Sequence, residues 1–485
     1  KMLNRETGRN RVKVKEYVKR VTVYAMGAVL IVMMALSFAY IWYNVYNMRI
    51  QLPFWRRGNI LLVLIYGVIF LLFSKIYGAL RVGYLKKIDV ITSLILTILC
   101  TNVITYFQIS LIARGLLDAG PMLMMMGAEI VIAVAWSFAS AWVYSKLYRP
   151  RKMLVVYGDR SPDDFLHKMM KRRDKFTIRE KIHVREGREV IYKKMRQYDA
   201  VVIWDLPAEI RNDFVKFCFS HSIRCYQTPK ISDILIRGAE RIHMFDTPLL
   251  LSRNTGLTIE QMFFKRLTDI VISLLAIIVT SPVMLVIAIC VKCYDRGPVF
   301  YKQERLTIGG KPFMIYKFRS MCVDSEKKGA MLAKKNDSRV TPVGRVIRNL
   351  HVDELPQLFN ILKGDMSVVG PRPERKTILR NYEKSIPEFH YRLKVKAGLT
   401  GYAQVYGKYN TTPYDKLKLD LFYIQNYSYW LDIQLMFMTF RILFQKETSE
   451  GVDSWQKDAL RTKQKDEAAS QAAASSIEKD GREEV

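Results

Sequence analysis

The stretch KRLTDIVISLLAIIVTSPVMLVIAICVK, residues 265–292, decides the fold. It is predominantly apolar from Ile270 to Cys290, with Lys265 and Arg266 before it and Lys292 and Arg296 after it. That length suffices to cross a bilayer core of about 30 Å. The middle, Thr280-Ser281-Pro282, argues otherwise. Proline removes an amide donor and clashes with the preceding turn. A neighbouring serine can cover the freed carbonyl, and a broken helix can enter and leave on one face if protein satisfies its backbone. Cations at both ends suit one anionic surface, where each contributes about 1 kcal/mol. The reading is a re-entrant membrane helix hinged at Ser281 and Pro282; a plain kinked span is the alternative.

What precedes this helix favours re-entry. Half of the 485 residues are hydrophobic and a quarter are charged, which fits apolar blocks joined to charged ones. Four apolar stretches, Val21–Tyr43, Ile60–Leu80, Ile88–Ile112 and Met122–Tyr144, each approach or exceed the roughly 20 residues of a membrane span. Soluble core helices would show polar faces. The first stretch is too long for a cleaved signal, and no Ala-x-Ala-like site follows it. The sequence therefore predicts a basic leader over 1–20 and a four-span bundle over 21–146. Lysine and arginine flank the leader, the connection after the second stretch (Arg81, Lys86, Lys87) and the segment after the fourth (Lys146, Arg149, Arg151, Lys152). The connection after the third holds only Arg114, whereas Arg49, Arg56 and Arg57 fit less well. By the positive-inside tendency both bundle ends are cytoplasmic. A fifth crossing would carry the basic residues 294–450 outside.

Residues 151–250 change character. KMLVVYGD (152–159), YDAVVIWDLP (198–207) and IRCYQTP (223–229) read as buried strands, with a helical pattern from Glu209 to His221. Strands alternating with helices predict a small, parallel, Rossmann-like α/β domain. GDRSPDD (158–164) is no G-x-G-x-x-G, so the expected role is regulation or oligomerisation. The six cysteines suggest no disulfide framework, and Cys290-Val-Lys-Cys293 reads as two packed thiols.

The chemistry lies beyond residue 297. In FMIYKFRSM (313–321) strand alternation puts Phe313, Ile315, Lys317 and Arg319 on one face, a phosphate clamp or a solvated edge. HVDELPQLFN (351–360) sets Asp353 beside Glu354. If Asp353 caps a helix to Lys363, Pro356 falls in its first turn and Gly364 past its end. Asp353 then sits at a positive helix end, as suits a nucleophile or metal ligand. Two adjacent anions call for a cation, and Mg²⁺ favours oxygen ligands and substrate phosphates. Alone, the pair reads as a capping Asp and a surface Glu. In GDMSVVGPRPE (364–374) two prolines hold Arg372, whose guanidinium can take a phosphate bidentately. Together these groups suit phosphoryl transfer, which needs positioning and charge neutralisation.

KRLTDIVIS…SPVM, GPVFYKQER, KPFMIYKFRSM, DELPQLFNILKGDMSVVGPRPE, GLTGYAQVYG and FYIQNYSYWLDI, in that order over residues 260–447, resemble the bacterial sugar transferase family, the monotopic polyprenyl-phosphate glycosyl-1-phosphate transferases. Four spans and an α/β domain ahead of that core resemble its large form. The resemblance implies a UDP-hexose donor, an undecaprenyl phosphate acceptor and a Mg²⁺ cofactor. It implies release of UMP and a product that starts capsule, exopolysaccharide or O-antigen synthesis. Asp353 would attack the β-phosphorus, with Glu354 holding or orienting Mg²⁺ beside it. Lys317, Arg319, Arg348 and Arg372 would bind phosphate. Ser281-Pro282 matches the family's re-entrant break. The expected location is the bacterial cytoplasmic membrane, multi-pass, in contact with lipid, with the catalytic domain in the cytoplasm; a homodimer is left open. Thr307 stands where the family has Gly, Ala397 where it has Pro, and Tyr402, Tyr406 and Tyr427 where it commonly has Trp, Asn and Trp; Tyr406 is a candidate for sugar choice.

Three rivals follow. One is an inactive membrane scaffold or regulator, which the joint presence of the acid pair and its arginines disfavours. Another is nucleic-acid binding, suggested by a formal charge of +31 but lacking any finger, RNA-binding or helix-turn-helix signature. The third, a many-span transferase, conflicts with four full spans. Tyr429–Phe444 reads as an interfacial helix or a core helix, and 448–485 as a polar, disordered tail. Glucose and galactose lead as transferred sugars, with an N-acetylhexosamine as the alternative.

Overall fold

A computed structural model describes residues 2–170, 172–252, 256–322, 339–407 and 411–443; the tail expected at 448–485 lies outside them. The chain divides into two compact units, residues 1–229 and 230–485.

The first unit opens with four long helices, α1 (Met2–Ile41), α2 (Arg56–Tyr77), α3 (Lys87–Ile112) and α4 (Gly120–Leu147). They cover the four apolar stretches, and α1 also runs through the basic leader. Leu30, Met34 and Phe38 of α1, with Trp42 in the π-helical turn that continues it, recur every four residues, so they share one face, which packs on Leu62, Tyr66 and Phe70 of α2. Leu36, Leu64, Val68, Val131 and Trp142 are exposed on the outside. Helices apolar inside and out suit lipid rather than water. At the centre, each helix contributes a polar group. Tyr66 and Ser37 donate to Oε1 of the buried Glu129 at 2.6 and 2.7 Å, and Asn102 donates to Oε2 at 2.7 Å. Such mutually satisfied groups hold helices together where water is absent.

The α/β part follows as β1 (Arg151–Tyr157), α5 (Asp163–Met170), β2 (Phe176–His183), α6 (Arg188–Met195), β3 (Ala200–Trp204), α7 (Ala208–Ser220) and β4 (Arg224–Gln227). The sheet is parallel, in the order β2-β1-β3-β4. Met153, Leu154, Val155 and Val156 are all buried, as expected of a parallel strand covered on both faces. The sequence reading missed β2. Its FTIREKIH is an edge strand whose charges interrupt the apolar run. Arg172 donates to the carbonyls of Tyr84 and Gly83, at 2.7 and 3.1 Å, and so fastens this sheet to the turn after α2. Gly83 is obligatory there: φ is +78°, and a Cβ would meet the Tyr144 ring at 2.1 Å.

The second unit comprises α8 (Ile231–Arg237), β5 (Glu240–Met244), β6 (Thr247–Leu251), α9 (Ile259–Asp295), β7 (Phe300–Leu306), β8 (Pro312–Phe318), α10 (Pro342–Asn349), α11 (Gln357–Lys363), β9 (Ser367–Val369), α12 (Lys376–Glu383), β10 (Gly398–Thr400), α13 (Tyr402–Tyr406), α14 (Pro413–Gln425) and α15 (Tyr429–Leu443). The sequence places residues 230–250 in the sheet domain. Ile231 and Ile234 instead enter this unit's core beside Leu417, Leu421 and Ile424.

The helix α9 is one of five helices in the described residues long and apolar enough to cross a membrane. At 37 residues and 1.5 Å per residue it is about 55 Å long. Pro282 does not interrupt it. The proline orphans the Ile278 carbonyl, which the Ser281 hydroxyl covers at 2.9 Å, while Thr280 bonds Ala276 O at 2.6 Å. The expected hinge is thus a patched helix, with no gap. The flanking cations also differ from expectation. Lys265 is buried, 2.6 Å from Asp432 and 3.1 Å from Tyr423 Oη. Arg266 donates to Ile361 O and Leu362 O, at 2.6 and 2.7 Å, and so caps the end of α11. Asp269 accepts from Ser367 Oγ and Val368 N. These charges orient the helix on the core and are spent before any lipid phosphate could claim them. Cys290 and Cys293, three residues apart on one helix face, are exposed and not packed. The closing helix α15 shares both of its expected characters: Leu435, Met438 and Arg441 are buried, while Trp430 and Phe440 are exposed.

Candidate active site

In β8 the alternation buries Phe313 and Ile315 and brings Lys317 out at the strand's end. The helix α10, capped by Thr341 Oγ1 on Gly344 N at 2.9 Å, carries Arg348. His351 then takes φ +57°, a left-handed conformation that reverses the chain. Residues Val352–Glu354 follow as a tight 3₁₀ turn, and α11 starts only at Gln357. Asp353 therefore does not cap α11, contrary to the sequence reading. Short-range bonds from Glu354 N to His351 O and Leu355 N to Val352 O hold the turn. Pro356, without an amide hydrogen, separates it from α11. Gly364 ends α11 at φ +102°, as expected.

The two neighbouring acids have opposite surroundings. Glu354 Oε1 accepts from Lys317 Nζ at 2.5 Å and from Arg372 Nη2 at 2.7 Å. Burial pushes its carboxyl up, but Arg372 and Lys317 outweigh this and hold it well below the usual carboxylate range. Asp353 has no hydrogen-bond or ion-pair partner among the described residues. Burial pushes its carboxyl up, Lys317 pulls it down and Glu354 raises it further, and the net direction is upward. Arg348 and Arg372 also act on it. The cation anticipated between two repelling acids is thus supplied, for Glu354, by the protein.

Of the predicted phosphate ligands, Lys317, Arg348 and Arg372 gather around this pair. Arg348 is steadied by Ser320 Oγ at 2.8 Å. The strand ends at Phe318, and the buried Arg319 packs against the turn at Gly297, where an added Cβ would lie 2.5 Å from Nη1. Tyr406 donates to Met438 Sδ at 3.4 Å, and its ring lies 4.5 Å from that of Tyr402. Two sequence departures meet each other. Thr307 Oγ1 accepts from Ala397 N at 3.2 Å and donates to Asp365 O at 2.8 Å. A proline at 397 would have no hydrogen to give, and a glycine at 307 no oxygen to receive it.

A Mg²⁺ ion takes few protein ligands and fills its shell with water and substrate phosphates. Among the described residues no group of three or more His, Cys, Asp or Glu side chains forms a cage. The unengaged Asp353 carboxylate fits such an ion, whereas Glu354 could offer only Oε2, since Lys317 and Arg372 occupy its Oε1.

The profile of the bacterial sugar transferase family matches residues 260–446. An uncharacterized sugar transferase of Bacillus subtilis is 39% identical over 191 residues, which cover 39% of this chain and 91% of the relative. The chain belongs to the bacterial sugar transferase family. Two longer relatives add detail. A UDP-N-acetylgalactosamine-undecaprenyl-phosphate N-acetylgalactosaminephosphotransferase of Aeromonas hydrophila is 40% identical over 258 residues, 51% of this chain and 59% of the relative. A UDP-glucose:undecaprenyl-phosphate glucose-1-phosphate transferase of Klebsiella pneumoniae is 38% identical over 254 residues, 51% and 53% respectively. The match thus spans little more than half the length of these two curated relatives.

Proposed function

We propose that this chain transfers a sugar 1-phosphate from a UDP-sugar to undecaprenyl phosphate. The observation that carries this reading is the contrast within the acid pair: one carboxylate is locked by two cations, and its neighbour is unengaged beside phosphate-binding groups. An Asp353 oxygen attacks the β-phosphorus of the donor, and the bond to UMP breaks. The phosphosugar is then held on Asp353. An oxygen of undecaprenyl phosphate attacks the same phosphorus and displaces the aspartate, which leaves undecaprenyl-diphosphate-sugar. Lys317, Arg348 and Arg372 neutralise the phosphates and hold them in line. The raised carboxyl of Asp353 reflects poor solvation, which leaves its anion reactive. Mg²⁺, bound through Asp353 and the donor phosphates, would add charge neutralisation.

In this reading α9 enters and leaves on the cytoplasmic face of the bacterial plasma membrane, and the second unit works in the cytoplasm. The positive-inside pattern supports that topology. The relatives' names divide between N-acetylgalactosamine and glucose, so the donor panel must hold both. The test is UMP release from UDP-sugars by membranes carrying the full chain. Asp353→Asn should abolish it. Rapid quench without acceptor should leave a phosphosugar on Asp353, detectable by mass spectrometry. Turnover retained in Asp353→Asn would overturn the assignment.

A further inference from the structure

Arg372 is presented by a four-residue loop, Pro371–Glu374, and every carbonyl of that loop is gripped from elsewhere. Pro371 O accepts from Gly398 N at 2.9 Å, and Glu374 O from Leu306 N at 3.1 Å. Arg372 O accepts from Arg392 Nη2 at 3.0 Å, and Pro373 O from Arg305 Nη1 at 3.3 Å. The two prolines fix φ and have no amide hydrogen of their own to offer. The cavity behind the loop, bordered by Leu306, Leu379 and Arg392, measures about 10 Å³, at the lower limit for one water. The loop has nowhere to retreat.

Arg392 is the unusual member of this set. Its side chain is 2% exposed, and Asp420, its ion-pair partner at 2.9 Å, is 1% exposed. The same guanidinium reaches Glu374 Oε1 at 3.4 Å, and Lys416 Nζ meets that oxygen at 2.5 Å. Arg392 thus joins α14, which carries Asp420 and Lys416, to the backbone of Arg372 itself. A buried ion pair is weak evidence of stability, because desolvation offsets its attraction. Its geometry here is better explained by what it holds.

We propose that Arg392 is a positioning residue for the reaction: through the Arg372 carbonyl and the Glu374 carboxylate it sets the Arg372 guanidinium where the donor phosphates and Glu354 need it. This rests on the transfer reaction proposed above. A misplacement of about 1 Å in such a group can cost about 100-fold in rate. The Glu374–Lys416 bond alone would leave the Arg372 carbonyl unheld.

The test uses the full chain in membranes. Arg392→Met with Asp420→Leu replaces the buried pair by apolar groups of similar size, a change that is often neutral or stabilising. The double variant should keep its melting temperature, yet lose about 10- to 100-fold in donor kcat/KM with the acceptor KM unchanged. Arg392→Lys keeps the charge but has no planar fork to span three acceptors, and should fall in between. If the double variant does not fold, Arg392→Lys decides by the same criterion. Wild-type donor kcat/KM in a folded variant overturns the proposal, as does a loss shared equally by donor and acceptor constants. Absence of UMP release from the wild-type chain would instead remove the underlying reaction.

Discussion

Asp353 and Glu354 are adjacent, chemically similar and both lost by the same kind of substitution, so they separate the structural and catalytic meanings of this site. Glu354→Gln removes the anion that Lys317 and Arg372 share. Each charge-assisted hydrogen bond contributes about 1.5–3 kcal/mol. The Arg372 side chain is 42% exposed and Lys317 20%, so solvent screening reduces the sum, to about 2–4 kcal/mol. In a unit of this size that is a loss of about 5–15 °C in Tm. Asp353→Asn goes the other way. Its folded carboxyl titrates above the unfolded value of about 3.9. The folded state then binds more protons through that window, and stability falls as pH rises through it. At neutral pH the anion costs stability, so Asn should leave Tm unchanged or higher while UMP release disappears. Thermal melts in chelator and the UMP assay, run on both variants, read the two quantities separately. An Asp353→Asn variant that melts as early as Glu354→Gln would refute the assigned environments.

Three further outcomes follow from the geometry. Thr307→Gly and Ala397→Pro should each lower Tm, by about 1–2 kcal/mol of stability, while the double variant recovers part of the loss, because each single change strands the other partner of one buried bond; strictly additive losses would count against the pairing. Burial pushes the Glu374 carboxyl up, but Lys416 and Arg392 outweigh this and hold it below its ordinary value. Its stabilisation should be present above the unfolded value of about 4.3 and be lost as pH falls through the folded one, so Glu374→Gln should flatten the acid limb of a Tm–pH curve. In a chain with Cys290 and Cys293 changed to serine, the exposed Cys322 should react with impermeant maleimide in inside-out vesicles only; labelling confined to right-side-out vesicles would make α9 a fifth span.

The membrane helices and the acid pair with its cationic neighbours were legible along the chain, since apolar run length and local residue type carry both. The same local signals misled where a side chain's partner lies far away in sequence. Lys265 and Arg266 look like lipid-facing flanks until Asp432 and the carbonyls of Ile361 and Leu362 appear beside them. Arg319 continues a period-2 pattern on paper, but β8 ends one residue earlier and the guanidinium turns to Gly297. Glu129 lies inside an apolar helix, and only the bundle reveals Tyr66, Ser37 and Asn102 around it.

By itself the sequence determined that this is a membrane-associated chain with a parallel α/β insert and an adjacent pair of acids near several lysines and arginines. The tertiary structure alone decided which acid is locked and which is available. That choice depends on where Lys317 and Arg372 come to rest, 36 residues before and 19 after Asp353, and on how deeply each carboxylate loses its water. Coulomb forces and desolvation act through space, so residues distant along the chain assign the roles of two neighbours.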